Sequence, residues 1–185
     1  MYCRRKVIKS DWLYREVYNQ AGSKKGTTDP NKDINRTVEV LAPMLYYETV
    51  NVHPGTIEED IYQGIDAYVN NEAIQVKCSI NPHLILEDFS HNHQGCWDSC
   101  AAKSYLHCYV SPDHQGEVIV DEYLVSEIKR ELFELRRKHK SFPNGYNNDP
   151  SYWGSDYDFG RAYYRESDNG DTGYFVLYRK GDPRN

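Results

Sequence analysis

The stretch GIDAYVNNEAIQVKCS, residues 64–79, sets a carboxylate, an amide and an ammonium (Asp66, Gln75 and Lys77) among Ile65, Ala67, Val69, Ile74 and Val76. The alternation reads as two strands, because successive strand side chains point to opposite faces. Ile65, Ala67 and Val69 then share one face, and Asp66 and Tyr68 the other. In the second run Ile74, Val76 and Cys78 form the apolar side, with Gln75 and Lys77 opposite. With residues 70–73 as a four-residue loop, Val69 pairs with Ile74, Tyr68 with Gln75 and Asp66 with Lys77. A slip of one residue would mix the two faces, so the pattern admits this register or one two residues away. The three polar groups converge on one patch.

A carboxylate, an amide oxygen and an ammonium together suit metal-assisted attack on a phosphodiester. The two oxygens can hold Mg²⁺, a hard cation that prefers oxygen ligands and keeps several waters. Such an ion polarises phosphate and acidifies a bound water, and a lysine can stabilise charge growing on the phosphoryl oxygens. The plainer alternative is an exposed sheet face on which Asp66 and Lys77 form a cross-strand ion pair.

Asp66 followed by QVK at 75–77 resembles the active centre of the PD-(D/E)xK nuclease superfamily, and the glutamine version preceded by GID looks most like its Mrr-like restriction endonuclease branch. The resemblance spans roughly residues 34–80. It implies an α/β fold, a restriction-endonuclease-like mixed β-sheet flanked by helices. It further implies Asp66 and Gln75 as metal ligands, the Val76 backbone carbonyl as another, Lys77 as the catalytic lysine and Glu39, on an upstream helix, as an accessory acid. The EED at 58–60 offers Glu58, Glu59 or Asp60 in place of Glu39. Ile65 stands where the superfamily's motif carries a proline.

The elements that must position these groups are only partly legible. A first amphipathic stretch surrounds Trp12, Leu13 and Val17, and AGSKKGTTDPNKD at 21–33 reads as a loop. From Ile34 the apolar residues Ile34, Val38, Leu41 and Leu45 recur at helical spacing, with Pro43 expected to kink or end the helix early. SYLHCYVS (104–111) and GEVIVD (116–121) read as strands. A helix striped by Leu124, Ile128, Leu132 and Leu135 follows and closes in RRKHK. Residues 141–173 read as a Tyr- and Gly-rich loop region, and 174–180 as a closing strand. The whole chain, 1–185, is expected to form a single nuclease-like domain with its core at about 31–140.

A chain of 185 residues can bury roughly two thirds of its unfolded surface, and 17 Tyr with 3 Trp supply large amphipathic packing surfaces. No apolar run approaches the ~20 residues needed to cross a bilayer, and the N-terminal residues lack the apolar region of a signal peptide. The five cysteines are irregularly spaced and fit reduced thiols. These features lead to the expectation of a cytoplasmic protein of a bacterium or of a virus-infected host, with no membrane association. The net charge of −6 gives no global attraction to nucleic acid, so a DNA partner must be met by a local basic surface.

Such a surface is offered by Lys129, Arg136, Arg137, Lys138 and Lys140, with Trp153 and nearby tyrosines able to stack on bases. The other reading is a solvated helix end, since basic residues in a last turn are expected on dipole grounds alone. His91, His93, Cys96 and Cys100 are four zinc-type ligands within ten residues, but the spacing is not that of a standard zinc site. Cys108 and His107 are adjacent in a strand and point apart, so they cannot act as a nucleophile and base pair. No Walker loop, G-x-G-x-x-G or G-x-S-x-G is present.

The sequence therefore leads to a Mg²⁺- or Mn²⁺-dependent deoxyribonuclease, expected to act on DNA and, like many nucleases of this size, to pair as a homodimer. Two rivals stand beside it: the same fold as an inactive module that binds nucleic acid or a protein, and a regulatory interaction protein using the 141–173 region as its contact surface.

Overall fold

The computed structural model describes residues 1, 3–22, 36–80, 82–90, 93–94, 96–110, 115–139, 159–166 and 172–179. The fold is mixed α/β. Where the sequence suggests one domain, the chain divides into two compact units, residues 3–82 with 100–123 and residues 1–2 with 83–99 and 124–185.

The first unit carries the motif. Its strands are β1 (Cys3–Lys9), β2 (Val52–Pro54), β3 (Ala67–Val69), β4 (Glu72–Ser79), β7 (Ser104–Val110) and β8 (Glu117–Leu124), the last ending at the unit boundary. They form a six-stranded sheet in the order β1-β8-β7-β4-β3-β2. The β1/β8, β2/β3 and β3/β4 pairs are antiparallel and β4/β7 is parallel. The residues joining β4 to β7 carry β5 (Leu84–Ser90), β6 (His93–Gln94) and the short α4 (Cys96–Ser99).

Helices α1 (Asp11–Gly22) and α2 (Arg36–Tyr47) cover one face of this sheet. Helix α1 starts where the Ser10 hydroxyl accepts the Leu13 N–H at 3.2 Å, a normal N-cap arrangement. It buries Leu13 and Val17, four residues apart, while α2 buries Val38, Ala42 and Tyr46 at the same spacing. Pro43 has no N–H to give to the carbonyl four residues earlier, but α2 runs on to Tyr47. The kink or early end expected at Pro43 is therefore replaced by a continuous helix, in which the proline itself is buried.

The β3–β4 hairpin corrects the expected loop. The pairs are Ala67↔Ile74, Tyr68↔Ala73 and Val69↔Glu72, two residues away from the four-residue-loop register. The turn is Asn70-Asn71, with φ of 49° and 67°, the left-handed values a two-residue hairpin turn needs and asparagine tolerates. The apolar alternation survives this shift: Ala67, Val69, Ile74 and Val76 all join the core beneath α1 and α2. On the opposite face, Gln75 and Lys77 lie beside Tyr105 and His107 of β7, their register partners.

Between β2 and β3 the chain forms α3 (Ile57–Gln63), which the sequence reading missed. Thr56 and Glu59 make a reciprocal capping box, and Gly64, at φ 57°, ends the helix in the left-handed region. Strand β1 was also unforeseen, and its mostly exposed Cys-Arg-Arg-Lys-Val-Ile-Lys pattern is that of a basic edge strand.

The second unit contains a four-stranded sheet, β6-β5-β10-β9, with β9 at Phe159–Glu166 and β10 at Thr172–Arg179. Strand β9 falls inside the stretch expected as loop, and residues 140–158 and 167–171 lie outside the described residues. Helix α5 (Val125–His139) buries Ile128, Leu132 and Leu135 of the expected stripe together with Val125, whereas Leu124, expected to head that stripe, is the last residue of β8 and is exposed.

Candidate active site

Asp66 lies immediately before β3 and is 4% exposed. Its N–H donates to the Ile74 carbonyl at 2.9 Å, and its carbonyl accepts the Gly55 N–H at 2.8 Å. Its side-chain Oδ2 accepts the Val76 N–H at 2.6 Å, so a carboxylate oxygen extends the ladder just before β3 begins. Carrying the register one residue on from Ala67↔Ile74 places Asp66 across from Gln75.

Burial is the largest influence on this carboxyl and pushes its pKa up to about 6. The Lys77 ammonium and the Val76 N–H oppose that rise, whereas the neighbouring Asp60 carboxyl adds to it. Of the three acids at 58–60, Asp60 is the one whose charge bears on Asp66. Glu59, one residue earlier, instead accepts the Tyr68 hydroxyl at 2.6 Å and the Thr56 N–H at 2.8 Å. Glu39 is half-buried on α2, and its charge helps burial push the Cys78 thiol up to about 12. Cys78 also feels Lys77 and Asp66, so Glu39 is a neighbour of the cluster through Cys78.

Gln75 is 2% exposed. Its Oε1 accepts the Cys100 thiol at 3.6 Å, and the same thiol reaches the Gly64 carbonyl at 3.6 Å. A Cβ on Gly64 would stand 3.2 Å from Gln75 Nε2 and 3.3 Å from Cys100 Sγ, so glycine there serves both the left-handed cap and the packing of the amide. Lys77, next along the face, is exposed. The plainer alternative expects both groups exposed; Lys77 is exposed but Asp66 is buried.

The remaining candidates fall elsewhere. Arg136 is bound within its own unit: its guanidinium bonds to the Asp88 carboxylate, the Asp88 carbonyl at 3.0 Å and the Asp98 carboxylate at 2.9 and 2.7 Å. Arg137 pairs with Glu134 at 2.8 Å, and Lys129 reaches the Asp98 carbonyl at 3.4 Å. These groups serve the unit's own carboxylates and carbonyls, and the side chain of Lys138 and all of Lys140 and Trp153 lie outside the described residues. Of the zinc-type set, His91 and the side chains of His93 and Cys96 are also outside them, while Cys100 bonds to Gln75 and Gly64.

Among the described residues no group of three or more His, Cys, Asp or Glu side chains is placed to hold a metal ion. A hard cation would have to draw on the Asp60 and Asp66 carboxyls, the Val76 carbonyl, the Gln75 amide and water. Two neighbouring carboxyls, one raised to about 6, are a charge arrangement that a divalent cation relieves. No described helix is long and apolar enough to cross a membrane. No protein-family model, curated protein or solved structure matches the chain.

Proposed function

We propose that the chain is a Mg²⁺- or Mn²⁺-dependent nuclease that hydrolyses phosphodiester bonds in DNA, of the restriction-endonuclease-like kind that Asp66 and Gln75-x-Lys77 resemble. One observation carries the reading: the buried Asp66 carboxyl, fixed by the Val76 N–H at 2.6 Å, stands beside the strand that carries Gln75 and the exposed Lys77, with Asp60 near enough to raise its pKa. The order α2, β2, β3, β4, then β7 parallel to β4, supports it by setting a helix and an antiparallel hairpin around these groups.

Asp60, Asp66 and the Val76 carbonyl would hold the ion, with the Gln75 oxygen turned from Cys100 to join them. A bound ion supplies phosphate polarisation and a more acidic water. Lys77, on the solvent side, meets the charge that develops on the phosphoryl oxygens. Glu39, whose charge is felt at Cys78 next to Lys77, acts as the accessory acid. A homodimer that cuts both strands and a reducing cytoplasmic setting, in keeping with the free thiols of Cys3, Cys78, Cys100 and Cys108, belong to the same proposal.

A second reading has its own observation. The Gln75 oxygen is already bonded to Cys100, and both Gln75 and Asp66 are nearly sealed from solvent, as suits the same fold serving as an inactive binding module. Metal-dependent melting separates the two. A nuclease gains stability from Mg²⁺ or Mn²⁺, because ligand bound only to the native state raises the melting temperature, and Asp66→Asn removes that gain. An unchanged wild-type melting temperature across both ions would leave the binding module.

A further inference from the structure

Helix α3 carries Asp60 to Asp66 but has no buried residue of its own. Ile57, Ile61 and Tyr62 are 42%, 62% and 69% exposed, so no apolar anchor fixes the helix to the sheet. Its attachments are polar. Thr56 and Glu59 cap its start, the Ile65 N–H reaches the Glu59 carbonyl at 3.2 Å, and the Gly64 N–H reaches the Asp60 carbonyl at 3.1 Å. All of these lie within the helix and its ends. Beyond them, the Ala101 N–H donates to the Gln63 carbonyl at 2.7 Å and holds the last residue of α3, while at the first turn the Tyr68 hydroxyl, projecting from β3, donates to Glu59 Oε1 at 2.6 Å.

We infer that the Tyr68–Glu59 hydrogen bond is a latch that holds α3 on β3 and thereby keeps Asp60 on Asp66, making Tyr68 and Glu59 positioning residues of the two-carboxylate site. The geometry is economical. Glu59 Oε2 takes the Thr56 N–H while Oε1 takes the phenol, so one carboxylate both starts the helix and ties it to the sheet. Tyr68 stands two residues after Asp66, on the same side of the strand. The hydroxyl and the carboxylate that Asp60 must meet therefore rise from one rigid segment. Glu59 and Asp60 are consecutive on the helix, so fixing the first limits the travel of the second. The inference rests on the nuclease reading for its functional meaning, but its mechanical part does not.

The test is Tyr68→Phe, which removes one oxygen and keeps the ring, with Glu59→Gln as a second variant that retains an acceptor for the phenol. In metal-free protein, amide hydrogen exchange at Asp60, Gly64 and Ile65 should quicken about threefold to tenfold in Tyr68→Phe, the range for one modest hydrogen bond. It should change less in Glu59→Gln. The Mn²⁺ concentration at the midpoint of the melting-temperature rise should increase by a similar factor in Tyr68→Phe, while melting without metal stays near wild type. Unchanged exchange overturns the latch. Faster exchange with an unmoved Mn²⁺ midpoint overturns the positioning role. A wild-type chain with no Mn²⁺ response defeats the nuclease reading instead, and the exchange rates still decide the latch.

Discussion

Replacing Asp66 by asparagine should stabilise the metal-free protein above neutral pH, the opposite of what loss of a surface ion pair would do. The carboxyl ionises at about 6 in the folded chain against an ordinary 3.8. Between those values the folded state holds a proton that the unfolded state has released, so wild-type stability falls as pH rises from about 4 to about 6 and then levels off. At 1.36 kcal/mol for each pH unit of displacement, the ionised group costs the fold about 3 kcal/mol at pH 8. Asparagine keeps an oxygen for the Val76 N–H and carries no charge into the buried position beside Asp60. The variant should therefore gain about 2–3 kcal/mol over wild type at pH 8 and almost nothing at pH 4. Urea unfolding from pH 4 to 8 in the presence of a chelator reads both curves. Parallel curves, or an Asp66→Asn that is less stable at pH 8, would refute the reasoning, because the ionised carboxylate would then not be an internal burden.

Three further outcomes follow from the same coordinates. Lys77→Ala should lower the cleavage rate by ~10²-fold or more while the metal-dependent rise in melting temperature survives, as expected when one electrostatic group facing the transition state is lost; equal loss of both would make Lys77 a structural residue. Gly64→Ala should cost about 1–2 kcal/mol in urea unfolding for its left-handed backbone, since the added Cβ also crowds the Gln75 amide and the Cys100 thiol. Arg5 donates to both oxygens of the fully buried Asp121 at 2.8 and 3.2 Å, so Arg5→Ala should destabilise the fold by about 1–2 kcal/mol, the loss of a charge-assisted pair of hydrogen bonds reduced for the half-exposed guanidinium.

What was legible in the sequence tracks how local its cause is. Helix α5 stood out through apolar residues at helical spacing, and strands β7 and β8 as short β-branched or aromatic runs bounded by turn residues. Alternation also put Asp66 on a separate side from Ala67 and Val69. The hairpin register slipped by two because Asn70-Asn71 was not recognised as a two-residue turn, although paired positive φ suits asparagine. Helix α3 escaped because it shows no apolar stripe, yet its Thr-x-x-Glu capping box was a usable signal. Which of Glu39, Glu58, Glu59 and Asp60 would bear on Asp66 was left open in the sequence, since it depends on how the left-handed Gly64 returns the chain to the sheet. Strand β9 was hidden in a stretch rich in Gly and Tyr, and its pairing with β10 is a relation between segments that neither announces alone.

Incubation of purified protein with supercoiled plasmid and with linear single strands, with and without Mg²⁺ or Mn²⁺, is the most direct test of the proposal that Asp66 and its neighbours cut DNA. The expected result is cleavage by the wild-type chain only with the divalent ion, abolished by a chelator and by Asp66→Asn. Intact substrates under every condition, or cleavage that Asp66→Asn leaves untouched, would contradict it.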